Sequence, residues 1–372
     1  MNTLQAKNTS LSVRVVGLLA LVFIIGTQAA TAQEPAKVLL LLHGMNSSPD
    51  TWNDFVAAKF QNSCAIIANG VLTNNSTPNQ QGVLCYRIRF GSFDLRSGRV
   101  GLEGVKATSS SSGDFSSIRD LGREVRRAVR GILNRYGNVE TVLVAHSRGG
   151  LAARAFLQQR AGKASVVGLL TTGAPHRGSR LGRIYKYLKA HPRGTCCQGD
   201  WKVVDFLRGK RKCRVGLISI ENPIPLDVRR PTISDLADDS PAIDNLNPDI
   251  TRLPPAIQYG QIVYGGLDLG ILRTDIPVFD EYSIFGDGIC DQLSTEAERF
   301  MLGDKTPSKY PGDGAVPAAS QRYFNLSGFS GDRTKLHRLG VDSGILHTQE
   351  TAQEAHISAV LATMMGSWWT GQ

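Results

Sequence analysis

The chain has 372 residues and a formal net charge of +10, and arginine supplies much of the positive charge. No recognisable nucleic-acid-binding module accompanies this charge, so nucleic acid is not an expected partner. The charge is interpreted as a solvated surface, with attraction to an anionic lipid surface as the alternative. Beyond the first 32 residues no apolar stretch is long enough to span a membrane, so we expect the mature protein to be soluble.

Residues 1–32 have the layout of a secretory signal peptide. Lys7 and Arg14 precede an apolar run over 15–25, and small residues then lead to Ala30-Thr31-Ala32. This order predicts export and cleavage, which would leave residues 33–372 in the periplasm or outside the cell. The alternative is a retained membrane anchor, but the run is shorter than the roughly 20 apolar residues that a span needs.

All six cysteines follow the expected cleavage site. An even number of cysteines in an exported protein predicts disulfide bonds, because that compartment is oxidising. Cys64 with Cys85 is the favoured local pair, followed by Cys213 with Cys196 or Cys197. A zinc site is disfavoured, because the chain has no C-x-x-C pair and no metal-spaced histidine pair.

Buried strands alternate with helices in the first half of the chain. Largely apolar runs are typical of strands that are buried on both faces of a parallel sheet. Helix-spaced apolar residues predict a helix over 117–136, begun by Ser116 or Ser117 and ended by Gly137, and a second helix follows over 151–160. We therefore predict an α/β fold with a mostly parallel sheet flanked by helices. The predicted strands of this half are 37–42, 85–90, 141–145 and 166–172.

The second half of the chain is less regular. Residues 178–256 contain three cysteines and many prolines, without alternation of strands and helices. A long insertion in a compact α/β domain is usually functional, so this segment is predicted to be a lid or cap. The sheet is expected to resume at 261–264 and to finish at 336–341, with a closing helix at 357–365. One domain with an insertion accounts for the whole mature chain.

Ser147 is the strongest candidate for a catalytic residue. It lies in the pentapeptide A-H-S-R-G at 145–149, between a predicted buried strand and a predicted helix. A sharp turn in this position lifts a serine hydroxyl above the sheet edge, and it requires small residues two positions away on each side, here Ala145 and Gly149. With a base to remove its proton, such a serine is a nucleophile.

The loop after the first strand, H-G-M-N at 43–46, is expected to complete the site. An oxyanion that forms on a substrate carbonyl needs hydrogen-bond donors. We predict that these are the backbone N–H groups of Met45 and Arg148. Gly44 allows the backbone to approach the site, and His43 is interpreted as a support of the loop rather than as a base.

Three segments resemble bacterial triacylglycerol lipases and their relatives in the α/β-hydrolase superfamily. They are L-L-L-L-H-G-M at 39–45, A-H-S-R-G-G at 145–150 and G-A-P-H-R-G-S at 173–179, and residues 234–247 are similar to a cap segment of several relatives. Ala145 replaces the first glycine of the usual G-x-S-x-G motif, as in one lipase branch. The resemblance implies an α/β-hydrolase fold with a cap insertion and a catalytic triad in the chain order Ser, Asp, His.

The resemblance also indicates the acid of the triad. P-G-D-G-A-V-P at 311–317 is similar to the loop that supplies this acid in the family, which makes Asp313 the prediction. Asp268, close behind the strand at 261–264, is the first alternative, and Asp287 is the second. The acid would orient the imidazole of the base and stabilise its charged form.

His347 is predicted to be the base. It lies in a loop beyond the last predicted strand, from which a side chain can reach over Ser147. The alternatives, His337 and His356, lie within the last strand and the closing helix, where regular structure would hold them away.

The expected function is secreted hydrolysis of carboxylic esters, of the lipase or carboxylesterase type, with lipid or another ester as substrate. The same machinery acting on another acyl bond, as in a polyester depolymerase, an amidase or an acyltransferase, is the alternative. A non-catalytic binding protein is disfavoured because a complete candidate triad is present. No cofactor is expected, and although some related lipases bind calcium near the acid loop, no ligand cluster in this sequence supports a calcium site.

Overall fold

The first strand, β1 (Ala36–Leu42), lies inside an eight-stranded sheet, and its last five residues are buried. A strand of this kind needs no polar face, because elements of the fold cover both of its faces. The structure is a computed structural model. The residues that it describes are 34–45, 47–91, 116–159, 163–183, 213–215, 218–220, 231–268 and 311–369.

The sheet is parallel except at one edge. Its strand order is β12-β9-β6-β5-β1-β4-β2-β3, and only the pairing of β2 with β3 is antiparallel. This confirms the predicted, mostly parallel sheet. The strands that follow β1 are β2 (Ala65–Ala68), β3 (Val71–Leu72), β4 (Val83–Arg89), β5 (Val139–His146), β6 (Val166–Thr172), β7 (Cys213–Val215), β8 (Ile218–Ile220), β9 (Gln258–Tyr264), β10 (Leu267–Asp268), β11 (Pro311–Gly312) and β12 (Leu336–Val341).

Helices pack against both faces of the sheet, and side chains of β1 alternate between the two cores. Leu40 and its neighbours on one face pack with α2 and α3, whereas Leu39 and Leu41 on the other face pack with α1 and α7. The helices are α1 (Asn53–Phe60), α2 (Ile118–Tyr136), α3 (Arg148–Leu157), α4 (Pro231–Asp235), α5 (Pro241–Leu246), α6 (Ala318–Gln321) and α7 (Glu354–Met365).

The long helix α2 begins and ends where its sequence predicts. The Ser117 hydroxyl accepts a hydrogen bond from the Asp120 backbone N–H, which satisfies one of the free donors of the first turn. Gly137 follows the last residue with φ at 69°, a conformation that glycine adopts without strain. By contrast, α1, β2 and β3 were not predicted, because they are short and depend on distant contacts. Phe55 of α1, for example, stacks on Trp369 near the chain end.

The Cys64–Cys85 disulfide is present and confirms the favoured pairing. It joins the segment before β2 to β4, across 21 positions of sequence. Cys196 and Cys197 lie outside the described residues, and only the backbone of Cys213 is described, so their pairing stays a prediction.

The described parts of the 178–256 segment pack against the body of the fold. The Ser179 hydroxyl donates to the Ala315 carbonyl at 2.6 Å, and the buried Arg154 of α3 donates to Asn247 Oδ1 at 3.1 Å. Leu246 adds an apolar contact in the cluster between α5 and α3. Residues 184–212, the centre of the segment, lie outside the described residues, so the lid assignment stays a prediction.

Residues 1–33 also lie outside the described residues, and the signal peptide and its cleavage stay predictions. Within the part of the chain that the structure describes, no helix is both long and apolar enough to cross a membrane.

Candidate active site

Ser147 occupies a strained turn between β5 and α3. Its backbone has φ at 55° and ψ at −130°, a conformation that is rare for a residue with a side chain. The turn lies at the carboxyl end of β5, beside the loop that follows β1, where connections from the sheet run in opposite directions. Ligands of open α/β sheets bind at such a point.

Close backbone approach explains why Gly149 must lack a side chain. A Cβ atom at this position would lie 2.8 Å from the His43 carbonyl oxygen and 2.9 Å from the Leu42 carbonyl oxygen. Both obstacles are backbone atoms of the strand and loop that precede the site, so they have little freedom to move. The absence of a side chain at Gly149 thus allows α3 to pack against the end of β1.

The structure brings Ser147, His347 and Asp313 into one chain of hydrogen bonds. The Ser147 hydroxyl donates to Nε2 of His347 at 2.8 Å, and Nδ1–H of His347 donates to the Asp313 carboxylate at 2.9 Å. This polarity follows from the carboxylate, which can only accept and so requires the proton on Nδ1. The lone pair on Nε2 is then directed at the serine hydroxyl, as general base catalysis requires.

The Asp313 carboxylate is held by donors on all sides. One oxygen accepts the backbone N–H groups of Ala315 at 2.9 Å and Val316 at 2.6 Å, and the other also accepts from the Gln321 amide at 3.1 Å. Burial by itself raises the pKa of Asp313, but the neighbouring His347 and these hydrogen bonds lower it overall. Asp313 is therefore ionised although its side chain is buried.

The alternative acids and bases occupy other positions. Asp268 is in β10, paired with Pro311 of β11, so it lies beside the acid loop, and Asp287 lies outside the described residues. His337 contacts the Gln258 side chain at 3.1 Å, and His356 contacts the Tyr264 hydroxyl at 3.3 Å. His347 is the histidine that contacts Ser147.

A protein-family model matches the part of the chain that contains Ser147. The model of the alpha/beta hydrolase family matches residues 39–278, which include most of the parallel sheet and the Ser147 turn. The chain belongs to the α/β-hydrolase family. Comparison of its sequence with curated proteins gave no match.

Similar solved structures come from several bacteria. A Listeria innocua gene product (lin2722) is 12% identical, with 89% of this chain and 95% of that chain covered and a TM-score of 0.45. The Bacillus licheniformis lipase BlEst2 in propeptide form is 14% identical, with 91% and 52% covered and a TM-score of 0.44. Phospholipase PlaB from Legionella pneumophila is 13% identical, with 78% and 45% covered and a TM-score of 0.41. The aligned part is about half the length of the last two proteins.

In this α/β hydrolase, the loop after β1 passes directly beside Ser147. A Cβ atom on Gly44 would lie 2.9 Å from the Ser147 Cβ, so the loop backbone and the serine are nearly in contact. Met45 follows in this loop, and Arg148 opens α3, where a backbone N–H has no acceptor within its own helix. Both predicted oxyanion donors therefore belong to segments that adjoin Ser147.

His43 supports this loop. Its ring is buried, with Nδ1–H donating to the Gly44 carbonyl at 2.8 Å and Nε2 accepting the Phe90 backbone N–H at 3.3 Å. Both ring nitrogens thus bind backbone groups of the two neighbouring strand ends. This position agrees with the interpretation of His43 as a support rather than a base.

Sequence reasoning missed Glu350, a fully buried carboxyl group beside His347. One carboxyl oxygen lies 3.6 Å from Nδ1 of His347. The other accepts a hydrogen bond from the Thr172 hydroxyl at 3.2 Å and lies 3.5 Å from Nε2 of His146. The only local signal for it is spacing, because Glu350 comes one turn after His347 in the same 3-10 helix, His347–Ala352.

The pKa values of the two buried carboxyl groups, Asp313 and Glu350, are shifted in opposite directions. Burial and the nearby Asp313 carboxylate raise the pKa of Glu350 well above its usual value, which favours the neutral acid. For His347, burial lowers the pKa, but the Asp313 and Glu350 carboxylates raise it more, so that it lies above 6.5. A proton on Glu350 removes one of these two contributions and makes the neutral imidazole easier to form.

His146 forms a hydrogen bond to the backbone of His347. Burial, together with the nearby His347 ring, lowers the pKa of His146 to about 3, so the ring is neutral. Its Nε2–H donates to the His347 carbonyl at 2.9 Å. His146, the residue before Ser147, thus positions the segment that carries His347.

Among the described residues, one group has the composition of a metal site. Nitrogen and oxygen atoms of His146, His347 and Glu350 lie within 4.8 Å of one another. Both ring nitrogens of His347 already contact Ser147 and Asp313, so these atoms belong to the hydrogen-bond chain. The arrangement fits proton transfer to and from a serine.

Proposed function

We propose that this α/β hydrolase is a secreted serine hydrolase that cleaves carboxylic esters through an acyl-enzyme intermediate. The observation that carries the proposal is the unbroken chain of hydrogen bonds from Ser147 through His347 to Asp313. The Cys64–Cys85 disulfide supports export, because such bonds persist in oxidising compartments. Lipids are the proposed substrate class, as the resemblance of the motifs to bacterial lipases suggests.

The proposed reaction uses the same three side chains twice. His347 accepts the proton of Ser147 as its oxygen attacks the ester carbonyl, and the backbone N–H groups of Met45 and Arg148 stabilise the oxyanion. The imidazolium then protonates the departing alcohol, which leaves an acyl group on Ser147. Water, deprotonated by His347, then attacks the acyl carbonyl, and the imidazolium returns the proton to the Ser147 oxygen as the acid leaves. Throughout, Asp313 keeps the proton of the imidazole on Nδ1.

A fluorophosphonate probe tests the nucleophile directly. The wild-type protein should form a covalent adduct, and Ser147→Ala should form none, because the probe reacts only with an activated serine. Intact-mass spectrometry of both proteins measures the result. An unlabelled wild type, or equal labelling of the two proteins, would overturn the catalytic role of Ser147.

Substrate class requires a second measurement. Hydrolysis of p-nitrophenyl esters from acetyl to palmitoyl should identify the preferred acyl length, and long-chain preference supports a lipase. Matched anilides and a polyester film would reveal an amidase or a polyester depolymerase. If esters of every length react no faster with the wild type than with Ser147→Ala, the ester-hydrolase proposal fails.

A further inference from the structure

An open groove of about 1090 Å³ lies on the side of α2 and α3, away from the triad. Gln158 at the end of α3 lines it, whereas Ser147 is at the start of that helix. The two residues are 11 positions apart along one helix, which corresponds to about 16 Å. None of the three triad residues lines this groove. The groove is therefore separate from Ser147, His347 and Asp313.

Arginine dominates the lining of this groove, which we call the arginine groove. Four arginines come from one stripe of α2, and Arg252 joins them from the segment after α5. Among the described residues, Arg119 and Arg126 have no carboxylate partner, whereas Arg123 pairs with Asp120. The arginines that line the groove are Arg119, Arg123, Arg126, Arg127 and Arg252.

Two acidic residues also line the groove, but they offset little of this charge. Asp249 forms an ion pair with Arg252 at 3.1 Å. Burial raises the pKa of Asp235, and its carboxyl group accepts the backbone N–H of Ile118. The remaining arginines leave the groove strongly positive, and guanidinium groups bind phosphate oxygens through paired hydrogen bonds.

A buried amide adds a second recognition element. Gln158 is 4% exposed, and its Nε2 donates to the Leu246 carbonyl at 2.8 Å. Its Oε1 has no hydrogen-bond partner among the described residues, although it is buried. An unpaired buried acceptor is costly, and a hydroxyl group of a ligand in the groove would satisfy it.

We propose that the arginine groove binds a phosphate group that carries a hydroxylated substituent, of the glycerol phosphate type. The guanidinium groups of α2 bind the phosphate, and Oε1 of Gln158 accepts a hydrogen bond from the hydroxyl. Such a group occurs both in soluble glycerol phosphates and in the headgroup of phosphatidylglycerol. The site is separate from the triad and does not depend on the proposed ester hydrolysis.

Calorimetry with two soluble probes tests the groove. Glycerol 3-phosphate should bind saturably and more tightly than inorganic phosphate. The variant Arg119→Gln/Arg126→Gln should lower the affinity for glycerol 3-phosphate by about tenfold or more, since two charged hydrogen-bond donors are lost. The control Arg322→Gln/Arg333→Gln removes the same charge from exposed positions elsewhere and should change the affinity less than about twofold. Gln158→Met should abolish the preference for glycerol 3-phosphate over phosphate. If Gln158→Met does not fold, the result with Arg119→Gln/Arg126→Gln decides the test.

Sedimentation with vesicles distinguishes the two sources. Binding to vesicles that contain phosphatidylglycerol, lost in the groove variant but kept in the control, supports the lipid headgroup. Binding of glycerol 3-phosphate without vesicle binding supports a soluble ligand. If neither probe binds, or if both arginine pairs weaken binding equally, the proposal is wrong. Thermal unfolding of each variant shows that it is folded, and this control keeps the result independent of the ester-hydrolase proposal.

Discussion

At the scale of single residues, the site contains two buried carboxyl groups whose pKa values are shifted in opposite directions. Asp313 is ionised because backbone and amide donors point at both of its oxygens. Glu350 receives one hydroxyl hydrogen bond, from Thr172, and lies near a carboxylate that is already charged. Two neighbouring carboxylates would repel each other, so the negative charge is favoured on Asp313, which accepts more hydrogen bonds.

Replacing Asp313 tests the orientation of the base. In Asp313→Asn the amide can donate to Nδ1 of His347, which moves the imidazole proton to Nε2 and removes the acceptor for Ser147. We expect kcat to fall by roughly 10³- to 10⁴-fold with little change in KM. Steady-state kinetics on a short p-nitrophenyl ester measures it, and His337→Gln, which alters a histidine of β12, should retain normal kcat. Near-normal kcat in Asp313→Asn would exclude Asp313 as the acid.

Glu350→Gln tests the charge of the second carboxyl group through stability. The folded state keeps a proton on Glu350 at pH values where the unfolded chain, with a pKa near 4.5, has lost it. A carboxyl group with a raised pKa therefore destabilises the fold increasingly as the pH rises through this window. Glutamine has no such cost, so the Tm of Glu350→Gln relative to wild type should increase from about pH 5 to about pH 8. A difference in Tm that does not vary with pH would show that Glu350 is ionised in the folded protein.

The pH dependence of activity gives an independent measure of the same charge. Activity should fall as the pH drops through the pKa of His347, because the protonated ring cannot accept the serine proton. If Glu350 is neutral, Glu350→Gln leaves this acidic limb of kcat/KM within about half a pH unit of wild type. If Glu350 is ionised instead, Glu350→Gln removes a negative charge near His347. The pKa of His347 would then fall, and the acidic limb would move to lower pH by about one unit.

At the scale of elements, the turn at Ser147 depends on how closely α3 packs against the end of β1. The first turn of α3 contacts the carbonyl groups of Leu42 and His43, and the loop that follows β1 touches Ser147. The strained backbone of Ser147 is maintained by this packing, since a free chain would not adopt it.

Gly149→Ala should push α3 away from the end of β1. The added methyl group meets two backbone carbonyl oxygens at under 3 Å, so α3 must shift, at a cost of about 1–3 kcal/mol. We expect lower Tm and reduced kcat, measured by thermal unfolding and ester hydrolysis. Gly340→Ala is the matched control, because a Cβ at Gly340 meets nothing within 4 Å. Equal behaviour of the two variants would mean that the turn tolerates displacement of α3.

At the scale of the whole molecule, the Cys64–Cys85 disulfide joins the outer strands to the central part of the sheet. The Cys64–Cys85 bond links β4 to the segment that leads into β2, on the opposite side of β1 from β5 and the serine turn. It restricts the unfolded chain more than the native one, since the closed loop spans 21 positions.

Loss of this disulfide should lower stability without changing the chemistry. Cys64→Ala/Cys85→Ala should be less stable by about 3 kcal/mol, because the unfolded chain regains the entropy of the opened loop. Urea unfolding measures the loss, and kcat at 25 °C should remain that of wild type because the triad lies beyond β1. Reduced wild-type protein is the control and should unfold at a similar urea concentration. A variant with normal stability would contradict this role of the bond.

Several elements were predictable because their signals are local. Val166–Thr172 and Leu336–Val341 have the bounds that their sequence predicts, and Ser117 and Gly137 delimit α2 as expected. Missed elements, such as α1, depend on aromatic residues from the far end of the chain. A short helix without its own strong apolar stripe is stable only through such tertiary packing.

The sequence by itself determined the mostly parallel sheet and the sharp turn at Ser147, because each has a signature within a short stretch of chain. It favoured the Cys64–Cys85 pair without excluding other pairings, and the structure decided for that pair. Only the tertiary structure decided which acid and base come together. His347 is 200 positions from Ser147 and 34 from Asp313. Its place in a loop made it the preferred base, but the sequence does not show that the folded chain brings it to Ser147. Glu350 and the arginine groove also emerged only from packing, since burial and proximity are properties of the folded chain.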